Sequence, residues 1–229
     1  MGLAASTDRR PVFYFIGDSI TEFGGDPTSC GFVTLLMHQF VRSVDMVNRG
    51  LAGYNTRWVL QRGMPIFAKE LAEQYAGASF VTIFLGANDA TLVNGPDARQ
   101  HVPLDEYAEN LKKMVQLVTP LLEPKGKLLL ITPPCVIDST RAGDRTNAYT
   151  GEYARACVQV AQAENVHVLD LHTYFNTTYP QEADRKAFFV DGLHFSAKGN
   201  EELTKLLNIT ITGIFDKSEL DRFNKPQIP

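Results

Sequence analysis

The sequence predicts an α/β fold, a three-layer α/β/α sandwich around a five-stranded parallel sheet. Three observations carry that expectation. Five short apolar runs recur at residues 12–16, 45–47 with their flanks, 80–85, 128–132 and 166–171. They are rich in Val, Ile, Leu and Phe and show little alternation, the mark of strands covered on both faces. Between them the apolar residues switch to helical spacing. The resulting β-α alternation implies right-handed crossovers and a doubly wound sheet.

The elements follow in order. Residues 12–16 open the sheet, and Phe32, Leu35, Leu36 and Phe40 form the first helical stripe. After the strand at 45–47, Trp58, Val59, Arg62, Ile66 and Phe67 outline a second helix. The third strand, 80–85, precedes a helix marked by Leu104, Tyr107, Leu111, Met114, Val115 and Val118, which stops before Pro120. A helix over 153–163 separates the last two strands, and residues 197–215 close the chain helically. The polar stretch 216–229, with two prolines, is expected to run over the surface. Without an internal repeat or convincing linker, residues 1–229 read as one domain with its core over roughly 12–215.

Composition narrows the function classes. The 229 residues are 44% hydrophobic and 21% charged, ordinary for a globular chain. A net charge of −4, with basic residues never clustered, argues against a nucleic-acid partner. No apolar stretch reaches the ~18 residues of a membrane span, and the N-terminus lacks the apolar core of a secretory signal. Cys30, Cys135 and Cys157 are odd in number and widely spaced, which suits a reducing compartment, so a cytoplasmic location is expected. Met1-Gly2-Leu3-Ala4-Ala5-Ser6 matches the N-myristoylation pattern at Gly2, which would add peripheral membrane attachment; the alternative is an unremarkable start. Asn176-Thr177-Thr178 and Asn208-Ile209-Thr210 match the glycosylation pattern, which has no meaning without a secretory route.

Ligands of open parallel sheets bind beyond the carboxyl ends of the strands. Polar turns follow that geography here: Gly17-Asp18-Ser19 after the first strand, Asn48–Gly53 after the second, Gly86–Asp89 after the third and Pro133-Pro134 after the fourth. Ser19 is the candidate nucleophile, and a serine hydroxyl needs an adjacent base. His194 is the best candidate. In Asp191-Gly192-Leu193-His194, Asp191 can fold back to hold Nδ1–H, whereas His38, His101, His167 and His172 lack such a partner. Gly53, whose backbone N–H is open to close approach, and Asn88, through its amide, suit an oxyanion hole completed by the Ser19 N–H. Asp18 and Asp89 are expected to brace loops. Read separately, each of these residues also fits an ordinary turn.

Competing motifs fail on detail. G-x-S-x-G, the Walker A pattern, G-x-G-x-x-G and H-E-x-x-H are absent, so no cofactor or metal is expected. The three cysteines read as packing residues.

The blocks Gly17-Asp18-Ser19-Ile20, Gly53 within 48–54, Gly86-Ala87-Asn88-Asp89 and Asp191-Gly192-Leu193-His194 resemble those of the GDSL lipases and esterases, or SGNH hydrolases, in order and spacing over nearly the whole chain. Ile20 replaces the family's Leu, a packing change. Residues 48–58, 84–90 and 131–134 are similar to the isoamyl acetate-hydrolysing esterase branch. The resemblance implies a cofactor-free, often dimeric esterase acting on small-molecule esters with short acyl groups. Lysophospholipase, thioesterase or sugar O-deacetylase activity is the alternative with the same machinery. A catalytically silent binding module on a flavodoxin-like sheet is the rival outside the enzymes. Phe188 and Phe189, just upstream of Asp191, are candidate walls of the acyl pocket, the alternative being that they pack under the last helix. The polar loop from Thr91 to Val102 is unsuited to an apolar tunnel.

Overall fold

The computed structural model describes residues 9–141 and 143–226; the Gly2 motif lies outside them. Five parallel strands, β1 (Val12–Gly17), β2 (Asp45–Gly50), β3 (Ala78–Phe84), β4 (Leu122–Ile131) and β5 (His167–Leu169), pair in the order β2-β1-β3-β4-β5. The chain first steps from β1 to β2 on one side and then to β3 on the other, so the winding reverses at β1. Register aligns the carboxyl ends: Gly50 pairs with Gly17, Gly17 with Phe84, Phe84 with Ile131 and Ile131 with Leu169.

Both faces of the sheet are covered, as the weak alternation of the strands requires. Phe13 and Phe15 of β1 point into one layer and Tyr14 and Ile16 into the other. The Phe13 side is covered by α2 (Phe32–Gln39), α8 (Leu171–Thr178), α10 (Ala197–Ile214) and α11 (Lys217–Asn224), the Tyr14 side by α4 (Met64–Glu73), α5 (Leu104–Val118) and α7 (Asn147–Ala163). The short helices α1 (Ser19–Phe23), α3 (Thr56–Trp58), α6 (Asp138–Arg141) and α9 (Glu182–Lys186) lie in the connections. Thr146 caps α7 by accepting from the Tyr149 N–H, and Ser196 caps α10 by accepting from Gly199 N–H. Among the described residues, no helix is long and apolar enough to cross a membrane.

Three expectations need correction. The second helix is broken: Val59–Gly63 winds as a π-helix between α3 and α4. Its wider turn shifts the phase of the stripe, so Gly63, Met64 and Leu71 are buried with Val59 and Phe67, while Ile66 turns to solvent. The last stretch does not simply follow the surface, because Lys217–Asn224 forms α11 and buries Phe223 completely. Asp216 caps that helix by accepting from Glu219 N–H; Asp216-Lys217-Ser218-Glu219 is the capping pattern that the sequence reading passed over. The fifth strand is only three residues long, because Asp170 caps α8 by accepting from Thr173 N–H.

Phe223 packs edge-on against Phe13 at 5.0 Å and Phe215 at 4.9 Å between ring centroids. Removing a fully buried aromatic ring loses its transfer free energy and leaves a cavity. Phe223→Ala is therefore expected to lower unfolding free energy by about 3–5 kcal/mol in urea titrations. A change below ~1 kcal/mol would mean that α11 is an appendage to the core rather than part of it.

Candidate active site

Four connections bring the candidate residues together above the aligned strand ends. Asp18 caps α1 by accepting from the Ile20 N–H at 2.9 Å, which sets Ser19 at the first helical position. Ser19 is only 7% exposed. Its Oγ lies 2.8 Å from Nε2 of His194, and His194 Nδ1 lies 2.8 Å from Oδ2 of Asp191.

The turn that delivers this pair is built locally. Asp191 Oδ1 accepts the backbone N–H groups of Leu193 and His194, at 3.0 and 2.8 Å. Gly192 sits between them with φ +85°, and a Cβ there would stand 2.1 Å from Thr140 Oγ1, so the position demands glycine. Burial opposes ionisation of Asp191, but hydrogen bonds from the His194 ring and from the His194 and Leu193 amides outweigh it. They hold the carboxyl well below the usual carboxylate range. A carboxylate accepts only, so the Nδ1 of His194 carries the proton and Nε2 is left to accept from the Ser19 hydroxyl. The chain of bonds can take a proton from Ser19.

Gly53 and Asn88 reach the same cleft. The N–H of Gly53 has no hydrogen-bond partner among the described residues. Asn88 Nδ2 donates to Tyr54 O at 2.8 Å, and its Oδ1 accepts from Arg145 Nη2 at 2.9 Å. Arginine only donates, so this contact fixes which end of the amide is oxygen and leaves one Nδ2–H free to face the cleft.

Asp18 and Asp89 brace loops. Asp89 takes the Thr56 N–H and hydroxyl, tying the Gly53 loop to the Asn88 loop.

The cleft is small, about 230 Å³, with Phe23, Ala52 and Leu193 as apolar walls and Gln100, Arg141 and Arg145 among its polar ones. Phe188 and Phe189 do not line it. They are 2% and 7% exposed and pack against Phe175, with Phe188 also on Tyr179 and Phe189 on Phe195. The alternative reading of core packing therefore holds. Phe23 stands beside the histidine, its ring 5.2 Å from that of His194. The sequence reading also missed Gln100, Arg141 and Arg145. The two arginines lie beyond β4, on the same edge as Pro133-Pro134, and that position was their only signal. A larger cavity of about 710 Å³ opens near Arg10, Gly77 and Glu123 at the amino-terminal end of the sheet, away from these residues. No cluster of His, Cys, Asp or Glu among the described residues is arranged to hold a metal.

A hydroxyl, imidazole and carboxylate in one hydrogen-bonded row on a doubly wound sheet suit ester hydrolysis. The chain belongs to the GDSL-like lipase/acylhydrolase family, whose model matches residues 15–202, and it is a carboxylic ester hydrolase. It is 40% identical over 206 residues to the isoamyl acetate-hydrolyzing esterase 1 homolog of Rattus norvegicus, covering 84% of this chain and 78% of that one. An Arabidopsis thaliana GDSL esterase/lipase is 37% identical over 218 residues, covering 87% and 86%. Among solved structures, a lipase/acylhydrolase from Enterococcus faecalis superposes with a TM-score of 0.68 at 28% identity, covering 89% of this chain and 96% of that one. An acetyl xylan esterase, at 0.71 and 18% identity with 87% and 99% covered, shares the fold.

Burial pushes the Asp18 carboxyl up to about 6, against the Ile20 N–H and nearby positive charge. Burial likewise pushes Asp89 up to about 7, opposed by the Thr56 hydrogen bonds and reinforced by the charge of Asp18. Unfolded, such groups titrate near ~4, so between there and about 7 the folded state binds more protons at these two sites. The contribution of these two carboxyls to stability then falls as pH rises through that window, against an opposite contribution from His172 and His167, whose pKa burial lowers. In thermal melts from about pH 5 to about pH 8, wild type is expected to lose stability relative to Asp89→Asn, which keeps an acceptor for Thr56. Parallel profiles for the two proteins would remove Asp89 as a source.

Proposed function

We propose that the chain hydrolyses small esters with short acyl groups through an acyl-enzyme on Ser19. The hydrogen-bonded row Ser19–His194–Asp191 is the observation that carries this reading. Ser19 Oγ attacks the ester carbonyl while His194 Nε2 takes its proton; the imidazolium, stabilised by Asp191, then protonates the departing alcohol. Water repeats the sequence on the acyl-enzyme under the same base, releasing the carboxylic acid and free Ser19. The N–H groups of Ser19 and Gly53 and the Asn88 amide are assigned to the oxyanion of both tetrahedral intermediates.

A short acyl group is favoured by the size of the cleft, about 230 Å³, below the ~300–1,000 Å³ of sites that bury drug-sized ligands. The relatives named for isoamyl acetate hydrolysis favour the same range. A buried methylene gains ~0.8 kcal/mol only where a dry surface receives it. Across p-nitrophenyl esters, kcat/KM is expected to peak within ~C2–C6 and then level or fall. A monotonic rise to long chains would point to a lipase-like groove.

A fluorophosphonate probe is expected to label wild type on Ser19 and leave Ser19→Ala unlabelled; labelling that survives the substitution would refute the nucleophile. Ser19→Ala and His194→Ala should each remove most activity, with the double variant barely worse, because such residues act as a unit. Multiplying losses would place one of them outside the relay. Asn88→Ala should lower kcat about 10²–10³-fold with KM little changed.

A further inference from the structure

Arg145 is 2% exposed, and each part of its guanidinium is engaged. Nε donates to Ala87 O at 2.7 Å, Nη1 to Asp144, and Nη2 to both Asn88 Oδ1 and Gln100 Oε1, each at 2.9 Å. Burial lowers its pKa, but arginine stays charged in proteins, and Asp144 together with Asp97 at 3.8 Å supplies the counter-charge. Burying a cation is costly, and the established fold gives no reason for one at this edge of the sheet.

The partners of the Nη2 fork supply that reason. Asn88 is one assigned donor. Gln100, the other partner, donates through Nε2 to Gly53 O at 3.2 Å, on the loop that carries the other assigned donor outside α1. The backbone carbonyl of Gln100 also accepts from Asn55 Nδ2 at 2.7 Å, stitching its turn to the same loop. One guanidinium nitrogen therefore holds two loops that are distant in sequence, one directly and one through a single glutamine. A donor misplaced by a fraction of an ångström loses much of its value, because it contributes by being oriented before charge develops.

We infer that Arg145 is a positioning residue for the oxyanion hole, orienting the Asn88 amide directly and, through Gln100, holding the Gly53 carbonyl and with it the residue whose N–H is the other donor. The inference rests on the proposed roles of Asn88 and Gly53. Lysine retains the charge at this site but not the planar fork, so it cannot hold Asn88, Gln100 and Ala87 together. Gln100→Leu, at a half-buried position, cuts one arm without burying an unpaired charge.

The test is steady-state kinetics with p-nitrophenyl acetate on Arg145→Lys, Gln100→Leu, Asn88→Ala and the Arg145→Lys/Asn88→Ala double variant, each checked for folding by circular dichroism. Arg145→Lys is expected to lose about 10–100-fold in kcat and Gln100→Leu about 3–10-fold, with KM within roughly twofold of wild type. Since Arg145 acts partly through Asn88, its substitution should cost several-fold less in the Asn88→Ala background than in wild type. Unchanged kcat in both single variants, an effect confined to KM, or losses that multiply in the double variant would each overturn the inference. If Arg145→Lys does not fold, the kcat of Gln100→Leu decides it alone. A wild type inactive on the ester, or a Ser19→Ala that retains turnover, would instead sink the reading of the site itself.

Discussion

The close approach of α1 to the ends of β1 and β2 constrains everything built above the sheet. A Cβ on Gly17 would stand 2.0 Å from Thr21 Oγ1 and 2.8 Å from Phe84 O, and one on Gly50 would stand 2.0 Å from the Glu22 nitrogen. Two strands thus end in residues without side chains so that one short helix can rest directly on them. Asn48 reinforces the contact by donating to Thr21 O at 2.7 Å, and Glu22 accepts the Ala52 N–H at 2.6 Å. Ser19 is placed by this packing at the reversal of winding between β1 and β3, where parallel sheets open a crevice.

Gathering polar groups at that crevice carries an electrostatic cost that the surrounding structure must offset. Asp18, Asp89, Asn88 and Arg145 are all nearly inaccessible to water, and an unpaired polar group there would cost ~1–3 kcal/mol. Each one finds partners. Asp18 meets Ile20 N–H, Asp89 meets Thr56, and Arg145 satisfies Asn88, Gln100 and Ala87 O. The raised carboxyls of Asp18 and Asp89 show that the compensation is incomplete.

The sheet and its order of use were legible because both rest on local signals, apolar runs and turn residues at strand ends. Ser19, Gly53, Asn88, Asp191 and His194 were legible as residues because each sits in a short polar block with distinctive chemistry. What could not be read is side-chain direction. Phe188 and Phe189 are close to Asp191 in sequence, but the bridge between Phe189 and Phe195 turns them into the aromatic cluster under α10. Arg145 failed for the opposite reason: it stands 57 residues from Asn88 and 45 from Gln100, and no local pattern marks a contact over that span. Ile66 failed because the π-turn just before it shifts the helical phase, although Gly63 and Pro65 at the junction were a local signal of the break.

The two sides of the cleft are buried to different degrees, and the proposed chemistry gives a reason. Arg141 spans them, donating to Asp191 Oδ2 at 3.2 Å and lying 3.6 Å from Asp144, which is bonded to Arg145. On the donor side the side chains of Arg145 and Asp144 are 3% and 9% exposed; on the base side those of His194 and Asp191 are 23% and 41% exposed. Oxyanion donors gain their effect from fixed orientation, so burial inside a saturated network serves them. A general base must take a proton from Ser19 Oγ and release it to a different oxygen on the leaving group, which requires small ring displacements in each turnover. A partly exposed Asp–His pair on a turn anchored by Ile137 N–H to Gly192 O can make them without disturbing the sheet. The ion-pair chain through Arg141 and Asp144 links the more exposed Asp191–His194 side to the buried Arg145 side by charge.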